Sequence, residues 1–299
     1  MSANSPLLRI ALFCTASRFS LLALQELAAH RLVTAVVLPQ PKLPGWRGSL
    51  LRIAGIRRPS QVERAAREQG IPVIFATNSD QSMVADRLRM MQPDLIGVAI
   101  YPRRIPQEII ALAPLGAINV HPSLLPRHRG PLPLFWTYHA DDRDAGVTVH
   151  HMNQVLDAGD IIVQERFPLP RAYPVEKLDA DVAVRGAFLL RSAAQALASG
   201  RAPRVVQDGD AATNAPRVRW DTPMVRFDAW DVERVWHFLA GLCPRFREPL
   251  VNSSGGPVVY QVVNGFEHGS SGTPGSVEKT RNGWKLHCRG GTVLLGEAT

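Results

Sequence analysis

The sequence predicts an α/β fold with a mostly parallel, Rossmann-like sheet, followed by a small β-rich C-terminal domain. Through the first two thirds of the 299 residues, short apolar runs alternate with amphipathic segments of helical length. This alternation is typical of βαβ units, which build parallel sheets. In the last quarter, short apolar runs are separated by glycine-rich turns, a pattern typical of small antiparallel β-domains.

The predicted strands and helices alternate regularly up to residue 121. Leu8–Phe13 is an apolar run of strand length, and Ser20–His30 has apolar residues at helical spacing. A serine cap opens the helix predicted over Ser60–Gln69. The other predicted elements of this part are the strands Val33–Pro39, Ile71–Ala76, Leu95–Tyr101 and Ala117–His121 and the helices near 80–91 and 105–113.

Beyond residue 121 the pattern changes. Gly146–Met152 and Ile161–Leu169 are predicted to form a hairpin-like pair of strands on either side of the loop Leu156–Asp160. A long amphipathic segment, about Val175–Ser199, predicts the helix that closes the first domain.

Domain boundaries follow from composition. Residues 200–221 are polar, contain prolines and glycines and show no periodicity, which indicates a linker. We therefore predict a first domain over 1–203, a linker over 204–223 and a C-terminal domain over 224–299. The elements predicted in the C-terminal domain are the helix Val232–Leu242 and the strands Val258–Val263, Trp284–Cys288 and Thr292–Leu295.

The composition is that of an ordinary globular protein, with 45% hydrophobic residues. No apolar run approaches the roughly 18 residues that a membrane-spanning helix needs. Residues 1–6 lack the basic and apolar regions of a secretory signal, so we expect a cytoplasmic protein without membrane contact. Cys14, Cys243 and Cys288 are far apart and lack CxxC spacing, so neither a disulfide framework nor a metal site is predicted.

The net charge of +8 lies entirely within residues 1–205, because residues 206–299 sum to zero. One basic loop, residues 42–58, stands apart because no acidic residue occurs between positions 27 and 62. Its basic residues are Lys42, Arg47, Arg52, Arg57 and Arg58. Such a run is typical of a contact for a polyanion or of a solvated loop, and both interpretations stay open.

Polar residues that could carry chemistry follow the strand Ala117–His121. Asn119 and His121 are two residues apart, so they would point to one face of the sheet. They stand at the carboxyl end of the strand, where open α/β sheets bind ligands. Asp157 could join them from the loop Leu156–Asp160.

An amide donor beside a histidine suits a developing oxyanion, and a nearby carboxylate would fix the imidazole tautomer and favour its protonated form. This set fits acyl transfer through a tetrahedral intermediate. The nucleophile would come from a second substrate, because no serine or cysteine has the context of a nucleophile elbow. The structural alternative is that Asn119 and His121 are hydrogen-bonded framework and Asp157 is a turn residue.

Several motifs together resemble the formyltransferase family that uses 10-formyltetrahydrofolate, especially its methionyl-tRNA formyltransferase branch and the paralogues that formylate small amines. The resemblance covers nearly the whole chain and is strongest over Gly116–Phe167. The motifs, in the family's order, are Asn119-x-His121, Ser123-Leu124-Leu125-Pro126, Arg129-Gly130, Gly146-Val147-Thr148 and Leu156-Asp157-x-Gly159-Asp160. The resemblance implies the formyltransferase fold, with residues 1–203 as its catalytic domain and residues 224–299 as an OB-like domain.

The resemblance also implies the reaction. Asn119 and His121 would stabilise the oxyanion formed when an acceptor amine attacks the formyl carbon of 10-formyltetrahydrofolate. Asp157 would hold His121 and assist proton transfer through water. The family holds this co-substrate largely by backbone and its mechanism requires no metal.

The two folate-binding segments of the family match Ile100–Arg104 and Val155–Asp157. The implied folate contacts are Ile100, Tyr101, Pro102, Arg103, Val155 and Leu156. Relatives carry apolar residues where Arg103 and Arg104 stand. Three interpretations of these arginines are therefore open. They could alter the pterin pocket, they could contact the folate carboxylates or an anionic acceptor, or they could lie on the surface without contacting a ligand.

Two kinds of acceptor fit the resemblance. Charged initiator tRNA would be contacted by the basic loop 42–58 through Arg47, in a segment that only partly matches the family's tRNA-binding loop. A small biosynthetic amine, such as an amino-sugar nucleotide or an amino-acid precursor, is favoured by the neutral C-terminal domain and by Pro131–Trp136, which depart from the tRNA branch.

Three more residues are candidate substrate contacts. Ser123 and Arg129 belong to the motifs that follow the predicted catalytic strand. His150 falls where some glycinamide ribonucleotide formyltransferases place a histidine near the site, although packing on a strand face is the alternative for His150.

Other classes of function fit less well. A dinucleotide-dependent oxidoreductase would need a GxGxxG motif after the first strand, and Cys14–Phe19 does not supply one. A formyltetrahydrofolate hydrolase would share the catalytic residues but usually carries an N-terminal regulatory domain, for which the residues before Leu8 leave no room. A non-catalytic binding module would be free to lose Asn119, His121 or Asp157, and all three are present.

Overall fold

The computed structural model describes residues 8–40, 58–77, 81–269 and 272–297. Its residues cluster into two compact units. The first unit comprises Met1–Pro126, Val147–Glu165 and Ala180–Asp210, and the second comprises Arg127–Gly146, Arg166–Asp179 and Ala211–Thr299. The boundaries of 1–203, 204–223 and 224–299 that the sequence suggests stay a prediction.

The described residues form eleven strands and seven helices. The strands are β1 Ile10–Cys14, β2 Val33–Pro39, β3 Val73–Ala76, β4 Leu95–Ala99, β5 Ala117–His121, β6 Asp144–His151, β7 Ile161–Pro168, β8 Val262–His268, β9 Val277–Thr280, β10 Gly283–Cys288 and β11 Gly291–Gly296. The helices are α1 Arg18–Ala29, α2 Gln61–Glu68, α3 Gln81–Met91, α4 Gln107–Ile110, α5 Pro133–His139, α6 Val175–Ala198 and α7 Val232–Leu242.

The larger sheet has seven strands in the order β3-β2-β1-β4-β5-β6-β7. The pairs from β3 through β5 are parallel, and β6 lies antiparallel to β5. The chain winds outward from β1 in one direction through β2 and β3 and in the other through β4 and β5. Such a reversal of strand order leaves a crevice at the carboxyl ends of the strands. The predicted mostly parallel α/β sheet is thus confirmed.

Burial explains why the central strands were predictable. Every residue of β1 and β4 is buried, as expected for strands covered on both faces. Helix α2 begins with a capping box in which the Ser60 hydroxyl accepts from the Glu63 amide and the Glu63 carboxylate accepts from the Ser60 amide. Helix α1 begins at Arg18, one residue after its Ser17 cap and two residues earlier than predicted.

A separate antiparallel sheet of four strands, in the order β8-β11-β10-β9, confirms the β-rich C-terminal part. The strand predicted over Val258–Val263 is wrong in position, since the observed strand begins at Val262. Residues 257 and 258 instead pair with the segment around Leu250, whose carbonyl accepts from the Val258 amide. Val258 and Tyr260 are buried, so their apolar character reflects core packing rather than membership of the sheet.

Helix α5 was not predicted from the sequence. It has only seven residues, too few to display a helical period. In the second unit its Phe135 packs edge-on against Phe238 of α7 and against Phe246, with ring centroids 5.5 and 5.2 Å apart. The aromatic side chains therefore serve a helix–helix contact.

No helix among the described residues is long and apolar enough to cross a membrane. The cytoplasmic location inferred from the sequence stays a prediction.

Glu248 and His237 are two of the buried ionisable side chains of the second unit. Glu248 is buried, its carboxylate accepts hydrogen bonds from the amides of Met224 and Val225, and burial raises its pKa to about 7. His237 is also buried, its Nδ1 accepts from the Ala172 amide, and burial lowers its pKa to about 4. The folded unit therefore favours the neutral form of both groups.

Replacing Glu248 with glutamine is expected to remove a pH-dependent loss of stability. The folded protein retains this proton between pH 4.5 and about 7, whereas the unfolded chain releases it. The stability that the protonated form confers is complete below pH 4.5 and is lost as pH rises through about 7, a change of about 3 kcal/mol. Urea denaturation followed by tryptophan fluorescence measures the difference between wild type and E248Q at each pH.

Five of the six tryptophans, all except Trp46, lie in the second unit, so the fluorescence signal reports mainly on it. Glu267→Gln is the control, because the Glu267 carboxylate is exposed. The prediction is contradicted if wild type and E248Q keep the same difference in unfolding free energy across this pH range.

Candidate active site

Asn119 and His121 lie on β5, and the antiparallel pairing with β6 places His150 directly opposite Asn119. Residues paired in this way point to the same face of a sheet. The Asn119 Nδ2 and His150 Nε2 atoms are 3.2 Å apart. The structure therefore brings the predicted catalytic asparagine and the candidate substrate contact His150 together.

The tautomer of His150 follows from its second ring nitrogen. His150 Nδ1 is 2.8 Å from the backbone oxygen of His151, and a carbonyl oxygen can only accept a hydrogen bond. Nδ1 must therefore carry the proton. In the neutral ring Nε2 is then an acceptor, and it receives a hydrogen bond from the Asn119 amide.

Asp157 reaches the same place from the loop between β6 and β7. Its Oδ2 is 3.6 Å from His121 Nδ1, while its Oδ1 is 3.4 Å from Asn119 Nδ2 and 3.6 Å from His150 Nε2. The side chains of His121 and His150 are buried, and that of Asp157 is 9% exposed. One carboxylate thus faces an amide and two imidazoles in a setting where water screens charge weakly.

The loop that carries Asp157 is tightly constrained. Asp157 adopts a left-handed backbone conformation with φ of +53°. A β-carbon on Gly159 would lie 1.8 Å from the backbone oxygen of His151, so only glycine fits there. The Gln207 side-chain amide donates to the backbone oxygens of Asp157 and Gly159. Sequence analysis missed Gln207, which lies in the predicted linker.

Ser123 begins the Ser-Leu-Leu-Pro segment after β5 and is buried. Its backbone oxygen accepts from the Thr148 hydroxyl at 2.7 Å, and its own amide donates to the His121 oxygen. Gln164 of β7 donates to both Thr148 Oγ1 and the Leu125 oxygen. These bonds fix the backbone that follows His121, while the role of Ser123 toward a substrate stays a prediction.

Arg104, in the first segment predicted to bind folate, donates at 3.4 Å to the backbone oxygen of Gln154, the residue just before the second segment. Ile100 is in the left-handed region with φ of +58°. The buried Ser20 hydroxyl donates to the Ala99 oxygen and so supports this turn. Three large apolar side chains of the two segments are exposed: Ile100, Val155 and Leu156. An exposed apolar surface in such a position is suited to a flat aromatic ligand.

The two arginines of this region differ in their partners. Arg103 donates to the Ala76 oxygen at the end of β3 and interacts with the Tyr101 hydroxyl. Tyr101 packs edge-on against Phe13, and burial raises its pKa. The Arg103 guanidinium thus makes hydrogen bonds within the protein. Arg104 is exposed, and it donates a hydrogen bond to the Gln154 oxygen.

The remaining candidate contacts lie elsewhere in the chain. Arg129 belongs to the second unit, where its backbone pairs with Thr213 and Ala215. Arg47 and almost all of the basic loop, residues 41–57, lie outside the described residues. Their roles stay predictions.

The amide of Asn119, the imidazole of His121 and the carboxylate of Asp157 form one cluster at the carboxyl end of β5. Such a set can donate hydrogen bonds to a developing oxyanion and relay a proton. In the described part of the chain, no group of three histidine, cysteine or acidic side chains has the arrangement of a metal site.

Comparison with known proteins identifies the family. The sequence profile described as formyl transferase matches residues 8–193. This chain belongs to the formyltransferase family. It is 31% identical over 295 residues to a methionyl-tRNA formyltransferase of Syntrophus aciditrophicus, covering 95% of this chain and 89% of that one. A methionyl-tRNA formyltransferase of Anaeromyxobacter sp. strain K is 33% identical over 300 residues, covering 96% and 90%.

Solved structures of formyltransferases share the fold. The N-formyltransferase of Helicobacter canadensis, in complex with folinic acid and dTDP-3-aminofucose, matches with a TM-score of 0.69 at 14% identity, covering 97% of this formyltransferase and 99% of that chain. Glycinamide ribonucleotide transformylase 1 of Symbiobacterium toebii matches with a TM-score of 0.55 at 22% identity, covering 67% and 93%. The first match extends through both units of the chain.

Proposed function

We propose that this formyltransferase moves the formyl group of 10-formyltetrahydrofolate to a primary amine. The observation that carries the proposal is the convergence of Asn119, His121 and Asp157 in one cluster, with atoms 3.4 to 3.6 Å apart. This cluster supplies a donor for an oxyanion, an imidazole and a carboxylate, which are the groups that acyl transfer to an amine requires.

The proposed reaction exchanges one carbon–nitrogen bond for another. The acceptor nitrogen forms a bond to the formyl carbon, the carbon's bond to N10 of the folate breaks, and a proton passes from the acceptor nitrogen to N10. Asn119 and His121 donate to the formyl oxygen as negative charge develops on it. Asp157 orients His121 and accepts a proton from the amine, directly or through water.

The surface formed by Ile100, Val155 and Leu156 fits the pterin ring of the co-substrate. These side chains are exposed and apolar, and the backbone around them turns through two left-handed residues, Ile100 and Asp157. Turning backbone leaves amide and carbonyl groups available to a planar heterocycle. We propose that Arg104, which is exposed beside these segments, faces the negatively charged end of the folate.

Charged initiator tRNA is the first candidate acceptor. Relatives named methionyl-tRNA formyltransferase are 31% and 33% identical over at least 95% of this chain. Phosphate contacts would fall to the basic loop 42–58 and its Arg47.

A small amine is the second candidate, and the charges of the C-terminal part of the chain favour it. Residues 206–299 carry no net charge. The ion pairs of basic side chains there include Arg219–Asp221, Arg226–Asp228, Arg245–Asp179, Lys279–Glu297 and Lys285–Glu267. A surface whose cations already face carboxylates attracts a nucleic acid weakly. The structurally similar Helicobacter canadensis enzyme was solved with an amino-sugar nucleotide.

Purified protein with 10-formyltetrahydrofolate is expected to release tetrahydrofolate only when a suitable amine is present. Charged initiator tRNA, amino-sugar nucleotides and diamino acids are compared under the same donor concentration. Formylation of tRNA that falls steeply with salt identifies the first acceptor, because each phosphate contact releases counterions. Formylation of a small amine with little salt dependence identifies the second.

Formate release without any amine, at the rate seen with the amines, would overturn the proposal in favour of hydrolysis. If no tested acceptor is formylated with this donor, the proposal of formyl transfer to these classes of amine is overturned.

A further inference from the structure

We propose that Gln207 is a positioning residue that holds the loop of Asp157 in its working conformation. The inference rests on the proposed function, because it assigns Gln207 an effect through Asp157. Nothing in the motifs of the sequence singles out this glutamine.

The Gln207 side chain contacts the loop on both sides of its turn. Gln207 Nε2 donates to the Asp157 oxygen at 2.9 Å and to the Gly159 oxygen at 2.7 Å. A side-chain amide carries two N–H bonds, so one nitrogen can satisfy both carbonyls at once. Gln207 is only 9% exposed, so water competes weakly for these bonds.

The backbone before Gln207 is itself attached to the far end of the loop. Val205 and Ile161 form an antiparallel bridge with hydrogen bonds of 2.8 and 3.0 Å in the two directions. Arg204 pairs with Asp160 at 3.2 Å. Val205 and Val206 are exposed, whereas the side chain of Gln207 is buried. The extended segment 204–207 therefore fixes where the amide of Gln207 lies.

The loop needs such support because its conformation is not the preferred one. Asp157 is a non-glycine residue in the left-handed region, which costs about 1 kcal/mol. Its carboxylate contacts His121, Asn119 and His150 at 3.4 to 3.6 Å. At these distances a small displacement of the loop breaks the contacts, and misplacements of about 1 Å cost on the order of 100-fold in rate.

Hydrogen exchange tests the structural half of the proposal without any activity. In Gln207→Leu the amides of residues 155–160 are expected to exchange about tenfold faster than in wild type. Gln207→Glu keeps the shape of the side chain but loses its N–H donors, so the same increase in exchange is expected. This second variant provides the test if Gln207→Leu folds poorly. Gln195→Leu is the matched control, because Gln195 is an exposed glutamine on α6 of the same unit. Unchanged exchange in both Gln207 variants overturns the proposal.

A double-mutant cycle tests the catalytic half. Gln207→Leu should lower kcat by about 10- to 100-fold in the wild-type background, as loss of a residue supporting the reacting groups does. In an Asp157→Asn background it should lower the residual single-turnover rate by less than about twofold, since the group it positions is already disabled. Loss by the same factor in both backgrounds overturns the proposal.

The two tests separate the inference from the proposed function. If wild type transfers no formyl group, the proposed function fails, and the exchange experiment still decides whether Gln207 holds the loop. If wild type is active and loop exchange is unchanged, only the inference about Gln207 fails.

Discussion

Replacing His121 with alanine is expected to lower kcat/KM for formyl transfer by about 1000-fold or more without unfolding the protein. In the proposed mechanism the substitution removes a donor to the oxyanion and the partner of Asp157, and each such loss costs roughly 100- to 1000-fold. Initial rates of tetrahydrofolate release measure the effect, and circular dichroism and thermal melting check the fold. His30→Ala is the control, because His30 is an exposed histidine in the same unit, outside the cluster.

Asp157→Asn should cost nearly as much as His121→Ala, because asparagine keeps the shape of the side chain and loses its charge. The double variant should be little slower than either single variant, since the two side chains act as one unit. Retention of more than a tenth of wild-type turnover by both single variants would remove His121 and Asp157 from the mechanism.

Gly159→Ala is expected to lower kcat by about 100-fold. The new β-carbon would stand 1.8 Å from the His151 oxygen, a distance that the backbone must relieve by moving. Either the loop leaves β6 or the end of β6 shifts, and both movements carry Asp157 away from His121. Steady-state kinetics measure the rate, and hydrogen exchange over residues 150–160 measures the displacement.

Gly209→Ala is the matched control for Gly159→Ala. Gly209 lies in the same unit, has no positive φ, and a β-carbon there would meet nothing within 4 Å. The control should retain wild-type rate and exchange. Equal activity of the two alanine variants would show that the loop accommodates a side chain and that its close contact with β6 is dispensable.

The central sheet could be predicted from the sequence because its strands are buried on both faces. Runs such as Leu95–Ala99 are apolar throughout, and the Ser60 cap marks a helix start by a local rule. Strand β9 could not be predicted, since Glu278 and Lys279 make half of a four-residue strand charged. Helix α5 could not be predicted because it is short and because its aromatic residues reflect tertiary contacts in the second unit rather than a helical pattern.

The residues of the candidate site also fall into those that the sequence could predict and those that it could not. Asn119 and His121 could be paired from their spacing on one strand, and Asp157 from the resemblance to the family. Gln207 lies 50 residues beyond Asp157 and belongs to no motif, so only the folded chain brings the two together. His150 was a candidate, but the proton on its Nδ1 is placed by the His151 carbonyl, which no spacing rule reveals.

The contacts of the Asn119 amide favour binding of an oxyanion over binding of a neutral formyl oxygen. Its amide nitrogen faces His150 Nε2 at 3.2 Å and the Asp157 carboxylate at 3.4 Å. A neutral formyl oxygen must compete with a carboxylate for that donor and competes poorly, whereas an oxyanion is an equally strong acceptor. In the proposed mechanism the Asp157 carboxylate therefore weakens the binding of the neutral formyl group more than that of the tetrahedral intermediate. The free energy lost when the hydrogen bond between Asn119 and Asp157 breaks is regained as the oxyanion forms.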